Sequence, residues 1–189
     1  FGLPGAPVVV ALGTPGRSGG GTRLASADGD SGDVVASARV GRFEGGRVEH
    51  PDGAAVEVPA GAISADLDVA VAKAPDSGDG PRVREAARGL AGLAAASGAR
   101  EFSPHGLNFS QPAVITLPYD PLLAAAPREL QLHYWNEERG AWEALASTVD
   151  EGARTVSARV AHFSVYQVLV PAGAVTALSD PEAGFFFRA

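Results

Sequence analysis

Residues 141–170 read AWEALASTVDEGARTVSARVAHFSVYQVLV. Within them Ala141–Val149, Thr155–Val160 and Phe163–Val170 carry strong strand patterns of the period-two kind. Gly140 and Gly152 stand in the turns between. The same alternation occurs upstream at Val34–Val40, Ala113–Tyr119 and Glu129–Trp135. In Asp66–Lys73, Leu67, Val69 and Val71 share one face while Asp66, Asp68, Ala70 and Ala72 share the other. Arg47–His50 and Ala54–Pro59 flank Pro51-Asp52-Gly53, which reads as a hairpin. Short strands at such spacing predict an all-β chain folded as an antiparallel β-sandwich. Phe102, Phe109, Ile115, Leu117, Trp135, Trp142, Phe163 and Tyr166 are the bulky residues expected to fill it.

One segment breaks the pattern. Arg82–Ser97 places Val83, Ala86, Ala87, Leu90 and Leu93 at helical spacing, which predicts a short helical excursion over 82–97. Residues 1–33 read as an N-terminal tail and linker. Pro7–Leu12 is β-prone, 13–21 is Gly-rich, and 26–33 is acidic. The sandwich is assigned to 34–170 and a C-terminal tail to 171–189.

Composition narrows the function classes. The chain has 189 residues, with 36 Ala and 20 Val against two Ile, and 14 Arg against the single Lys73, the skew of a GC-rich, bacterial-type genome. The apolar share of 46% excludes wholesale disorder. A net charge of −7 and a pI near 5.0 argue against nucleic acid as a partner. No apolar run approaches the roughly 18–20 residues of a membrane-spanning helix. The absence of Cys removes disulfides, thiolate catalysis and Cys-ligated metals. Phe1 is not an initiator, so the chain reads as a processed product, and secretion or cell-surface display is the expectation.

Most short motifs carry no chemistry. Gly29-Asp30-Ser31-Gly32 matches the tetrapeptide around a serine-protease nucleophile, but no His precedes it to act as base. Asp28, Asp30 and Asp33 read as a solvated acidic turn rather than a calcium loop, because Gly32 stands where an oxygen ligand belongs. His50, His105, His133 and His162 are scattered without metal-ligand spacing. The Gly-rich stretch lacks the end of a phosphate loop, and Asn108-Phe109-Ser110, a formal glycosylation sequon, has apolar neighbours that suggest burial. No metal or cofactor is expected. Trp135 and Trp142 bracket a turn and read as a cross-strand aromatic pair.

His162-Phe163-Ser164 is different. A Ser hydroxyl beside a distorted peptide bond can attack the preceding carbonyl and convert amide to ester. That needs a proton acceptor, an oxyanion donor and a kinked backbone. His162 lies two residues before Ser164, so in a regular strand both side chains face the same side.

Several blocks also fall into one order. Gly46-Arg47-Val48, Pro51-Asp52-Gly53-Ala54-Ala55-Val56-Glu57-Val58-Pro59-Ala60-Gly61-Ala62-Ile63 and Phe102-Ser103-Pro104-His105-Gly106-Leu107-Asn108-Phe109 are followed by Ser110 through Tyr119. Tyr134-Trp135, Trp142 and His162-Phe163-Ser164 with Tyr166 complete the series. Over residues 46–170 the order resembles the ZU-five domain of ankyrins, netrin receptors and zonula occludens protein. The resemblance implies a β-sandwich that binds proteins or holds assemblies together. In some relatives the chain cleaves itself inside the His-Phe-Ser motif, which maps the nucleophile onto Ser164, the assisting residue onto His162 and the cut onto Phe163–Ser164.

Two function classes follow. The first is a non-catalytic structural or interaction module, joined to protein partners or to copies of itself through Val8, Val9, Val10, Leu12, Phe185, Phe186 and Phe187. Those residues form apolar segments outside the domain, and such segments invite pairing. The second is a self-processing domain that cleaves Phe163–Ser164 by an N→O acyl shift, through His162 and Ser164.

Overall fold

The structure is a computed structural model and describes residues 23–26, 34–74, 92–120 and 127–172. Thirteen strands occupy these residues: β1 (Arg23–Ser26), β2 (Val34–Val40), β3 (Gly46–Glu49), β4 (Ala55–Val58), β5 (Leu67–Lys73), β6 (Leu93–Ala95) and β7 (Arg100–Ser103) come first. Then follow β8 (Asn108–Pro118), β9 (Gln131–Asn136), β10 (Ala141–Ala144), β11 (Ser147–Asp150), β12 (Thr155–His162) and β13 (Val165–Pro171). They build two antiparallel sheets packed face to face, the β-sandwich that the alternation predicts. The larger runs β1-β2-β5-β7-β13-β9-β10, with β6 also on β13, and the smaller runs β11-β12-β8-β4-β3.

Alternation decides which side chains enter the core. Val69 and Val71 of β5, Ile115 and Leu117 of β8, and Val156 and Val160 of β12 are buried between the sheets. The predicted hairpin forms, with Val48 opposite Val56 across β3 and β4. Phe102, Phe163 and Tyr166 meet in the middle. Phe102 lies edge-on to Tyr166 at 5.6 Å, and Phe109 edge-on to Phe163 at 4.8 Å. Such pairs add about 1 kcal/mol each beyond the area they bury.

The tryptophans do not join this core. In β13, Tyr166, Val168 and Val170 face the smaller sheet, so Val165 and Leu169 must point outward. There they form a second cluster with Trp135, Trp142 and Ala74, and the two indoles meet edge-on at 5.7 Å. The cross-strand pair is in register, Trp142 opposite Trp135.

Several boundaries differ from the sequence expectation, among them that of β8, which starts at Asn108 rather than Ala113. The C-terminal part of the predicted 82–97 helix is strand: Leu93–Ala95 pairs with Leu169–Pro171 of β13. Main-chain bonds and the packing of Leu93 and Ala95 on the outer cluster outweigh a weak Ala-rich helical stripe, and Gly92 at φ 76° turns the chain into β6. Residues 82–91 lie outside the described residues. Arg23–Ser26, placed in the tail, is instead β1, paired with Val34–Ser37. Ala141–Val149 is two strands in different sheets. Period two fails at Ala144-Leu145-Ala146, where the chain crosses over and Leu145 N–H bonds the Leu132 carbonyl at 2.9 Å. Phe163–Val170 likewise starts late, because β12 runs to His162 and β13 begins at Val165.

Candidate functional site

The registers gather one set of loops at one end of the sandwich. Val40 pairs with Leu67, Gly46 with Val58, Glu101 with Val165, His162 with Asn108, and Tyr166 with Tyr134. The turn 41–45, the loops 59–66 and 104–107, the turn 137–140 and the His162-Phe163-Ser164 corner therefore share that end. The hairpin turn at His50–Gly53 and Lys73 at the end of β5 lie at the other.

A cleft of about 660 Å³ opens beside the corner, within the range of small-ligand pockets. Its walls include His105, Leu107, Tyr134, Glu138, His162 and Ser164. Tyr134 and His162 meet edge-on at 5.1 Å. The Tyr134 hydroxyl donates to Glu143 at 2.6 Å, and Asn136 and Arg139 bond the same carboxylate. The bond to Glu143, with partial burial and the carboxylate charge, raises the Tyr134 pKa above its ordinary value, while that bond holds Glu143 below its own.

The structure brings His162, Phe163 and Ser164 together at a corner rather than along one strand face. Here the chain leaves the smaller sheet and enters the larger one. Ser164 is buried, and its hydroxyl donates to the Trp135 carbonyl at 2.9 Å. His162 Nδ1 lies 3.2 Å from the Phe163 carbonyl oxygen, the oxygen of the peptide bond before Ser164. When protonated, Nδ1 donates to that oxygen. This is the contact of a carbonyl polariser, whereas a base would face the Ser hydroxyl. The Tyr166 hydroxyl donates to the His162 carbonyl at 2.6 Å. Burial and the nearby Tyr134 push the Tyr166 phenol well above its ordinary pKa, so it remains a donor. A tyrosine that bonds back to main chain where strands switch sheets is the tyrosine-corner device of Greek-key sandwiches.

The other sequence candidates land elsewhere. Val8, Val9, Val10, Leu12, Phe185, Phe186 and Phe187, with Asp28, Asp30 and Asp33, lie outside the described residues. His50 bonds Asp52 at 2.6 Å, His105 Nε2 lies 3.4 Å from Glu101, and His133 Nδ1 lies 3.1 Å from the Gln131 carbonyl oxygen. Among the described residues no group of three His, Asp or Glu side chains is placed to hold a metal ion.

Two features had no signal in the sequence. Asp52, on the small-sheet hairpin, also bonds Arg100 at the start of β7, which joins the two sheets. Burial favours protonating Asp52, but the Ala54 N–H, Arg100 and His50 together hold its pKa below the ordinary carboxylate value. Phe43, at the tip of the β2–β3 turn, is 75% exposed. No known protein family matches the chain, and no curated protein matches it.

Proposed function

We propose that this chain is a non-catalytic protein-interaction β-sandwich of the secreted or cell-surface kind, which assembles with protein partners or with copies of itself. The observation that carries this reading is the bond from the buried Ser164 hydroxyl to the Trp135 carbonyl. It gives the hydroxyl a structural task, closing the corner where β12 passes to β13. The resemblance of residues 46–170 to the ZU-five domain supports a role in holding assemblies together. Among the described strands β3, β10 and β11 each pair on one side only, and such edges accept an added strand through main-chain bonds. The terminal segments Val8–Leu12 and Phe185–Phe187 are the strands proposed to fill such edges on neighbouring copies.

A second reading has one specific observation behind it: His162 Nδ1 stands 3.2 Å from the carbonyl oxygen that an attack by Ser164 would turn into an oxyanion. In that reaction the Ser164 oxygen bonds to the Phe163 carbonyl carbon and the peptide C–N bond breaks. The nitrogen takes the proton, and water then hydrolyses the ester to a Phe163 carboxylate and the regenerated Ser164 hydroxyl.

Intact mass after denaturation, with sedimentation of the native protein, tests both. The first reading expects one 19.2 kDa species after days at neutral pH, and open-ended head-to-tail assemblies that disappear when residues 1–22 are deleted. Fragments of 163 and 26 residues, blocked by Ser164→Ala and retained in part by Ser164→Cys, would establish the second reading instead. Oligomers unchanged by the deletion would exclude assembly through the N-terminal strand.

A further inference from the structure

The loop end of the sandwich carries a projecting aromatic residue and a recess with aromatic and polar walls. The projection is Phe43, three-quarters exposed on a turn that the fold holds stiffly. Gly41 and Gly45 exchange two main-chain bonds of 3.3 and 2.8 Å across it. Arg42 N–H donates to Asp66 at 2.9 Å, and the Arg42 carbonyl accepts from Gly61 N–H at 2.7 Å. Gly45 sits at φ 71°, and a Cβ there would lie 2.3 Å from the Val58 carbonyl oxygen, so the turn requires glycine. The Arg42 guanidinium lies 4.2 Å from the centre of the Phe43 ring. Single exposed apolar residues are common on proteins, but a large one on a bonded turn with a cation over its face has the form of an interface anchor.

The recess is the cleft described above, with Leu107, Tyr134, His162 and Glu138 along its walls. It opens at the same end, on the β13–β9 side, whereas Phe43 stands on the β2 side. Four strand spacings separate β2 from β9, roughly 19 Å at about 4.8 Å each. A two-fold axis lying in the plane of that end, midway between projection and cleft, carries each Phe43 onto the other copy's cleft. Arg42 beside Phe43 and Glu138 in the cleft lining carry opposite charges.

We propose that a second copy of this chain docks on this end to form a closed, isologous dimer, with Phe43 as anchor and the Arg42–Glu138 pairing setting its register. This contact is distinct from assembly through the termini, because it closes on itself and needs only the sandwich.

The test is sedimentation of the full chain across a wide concentration range. The wild type should dimerise. Phe43→Ser should weaken the dimer at least ~10-fold, as loss of an anchor does, and thermal melting should show it folded, since the side chain is exposed. Arg42→Glu should weaken the dimer too, and adding Glu138→Arg should restore it. A chain lacking residues 1–22 should keep the dimer while losing terminal assembly, so each reading can fail without the other. A wild type that stays monomeric to millimolar concentration, a Phe43→Ser variant that dimerises unchanged, or a double charge reversal that recovers nothing would each overturn the proposal.

Discussion

The Tyr166 hydroxyl reaches the His162 carbonyl at 2.6 Å, and so fastens the first turn-free residues of β13 in the larger sheet to the last residue of β12 in the smaller. Between them Phe163 fills the core against Phe102 and Phe109, and Ser164 ties back to Trp135. The corner is thus held at three points. Tyr166→Phe keeps the ring in the core and removes one of them, leaving a part-buried carbonyl without its donor. The expected loss is about 1–2 kcal/mol, read as a lower urea midpoint with an unchanged slope. An unchanged midpoint would mean that the bond contributes nothing to stability.

Gly45 and Gly140 both adopt positive φ, 71° and 58°, but their surroundings differ. A Cβ at Gly140 meets nothing within 4 Å, whereas at Gly45 it meets main chain of residues 58–60 at 2.3 to 2.8 Å. Gly140→Ala should therefore cost only the strain of a left-handed residue, about 1 kcal/mol. Gly45→Ala should cost more than twice as much, because main chain cannot step aside as a flexible side chain can. Chemical denaturation of the two variants side by side checks the order. Equal losses would show that the β2–β3 turn is loosely seated.

Trp142 closes the outer cluster against Trp135, Leu169 and Val165 rather than the central core. Trp142→Ala should cost about 3 kcal/mol, the low end for a buried tryptophan, since the residue lies on the outer face of the edge strand β10. The same substitution should abolish the near-ultraviolet circular dichroism of the coupled indoles, which lie 5.7 Å apart. A stability loss without the spectral change would place the indoles apart in solution.

The strands that alternate cleanly were legible because one face of each is buried. Leu67, Val69 and Val71 point inward as their spacing requires, and Ile115 and Leu117 do the same in β8. Sequence reading failed where a sheet is covered on both faces or where the chain changes sheet. In β13 only Gln167 interrupts the apolar residues, so the outward Val165 and Leu169 could not be told from the inward Tyr166 and Val168. The Ala-rich stripe of 82–97 suits helix and buried strand alike, and for Leu93–Ala95 tertiary pairing decided. At the site, the His162-Phe163-Ser164 trio was visible, but its regular-strand geometry was not kept. The break between His162 and Val165 turns the Ser164 hydroxyl to Trp135 and the imidazole to the Phe163 carbonyl. The Asp52–Arg100 bond was invisible, because only the folded topology brings a hairpin turn to the first residue of β7.

That bond and a buried imidazole set the acid response of the fold. Burial depresses the His133 pKa below the ordinary imidazole value of 6.5, only partly opposed by its bond to the Gln131 carbonyl. The folded state therefore holds fewer protons there than the unfolded chain. Its stabilising contribution is present above about pH 6.5 and falls away as the pH drops towards the folded value. Asp52 acts in the same sense further down: its pKa is lowered from 3.8, so its contribution is intact above that pH and is lost as acid protonates the carboxylate bound to Arg100 and His50. Stability should thus decline in two steps on acidification. His133→Gln should flatten the upper step and Asp52→Asn the lower one, each leaving the other in place, since one residue lies in β9 and the other on the β3–β4 turn. Urea midpoints measured from pH 8 down to pH 3 would show it. A profile that Asp52→Asn leaves unchanged below pH 4 would mean that the inter-sheet bond forms no better in the folded protein than out of it.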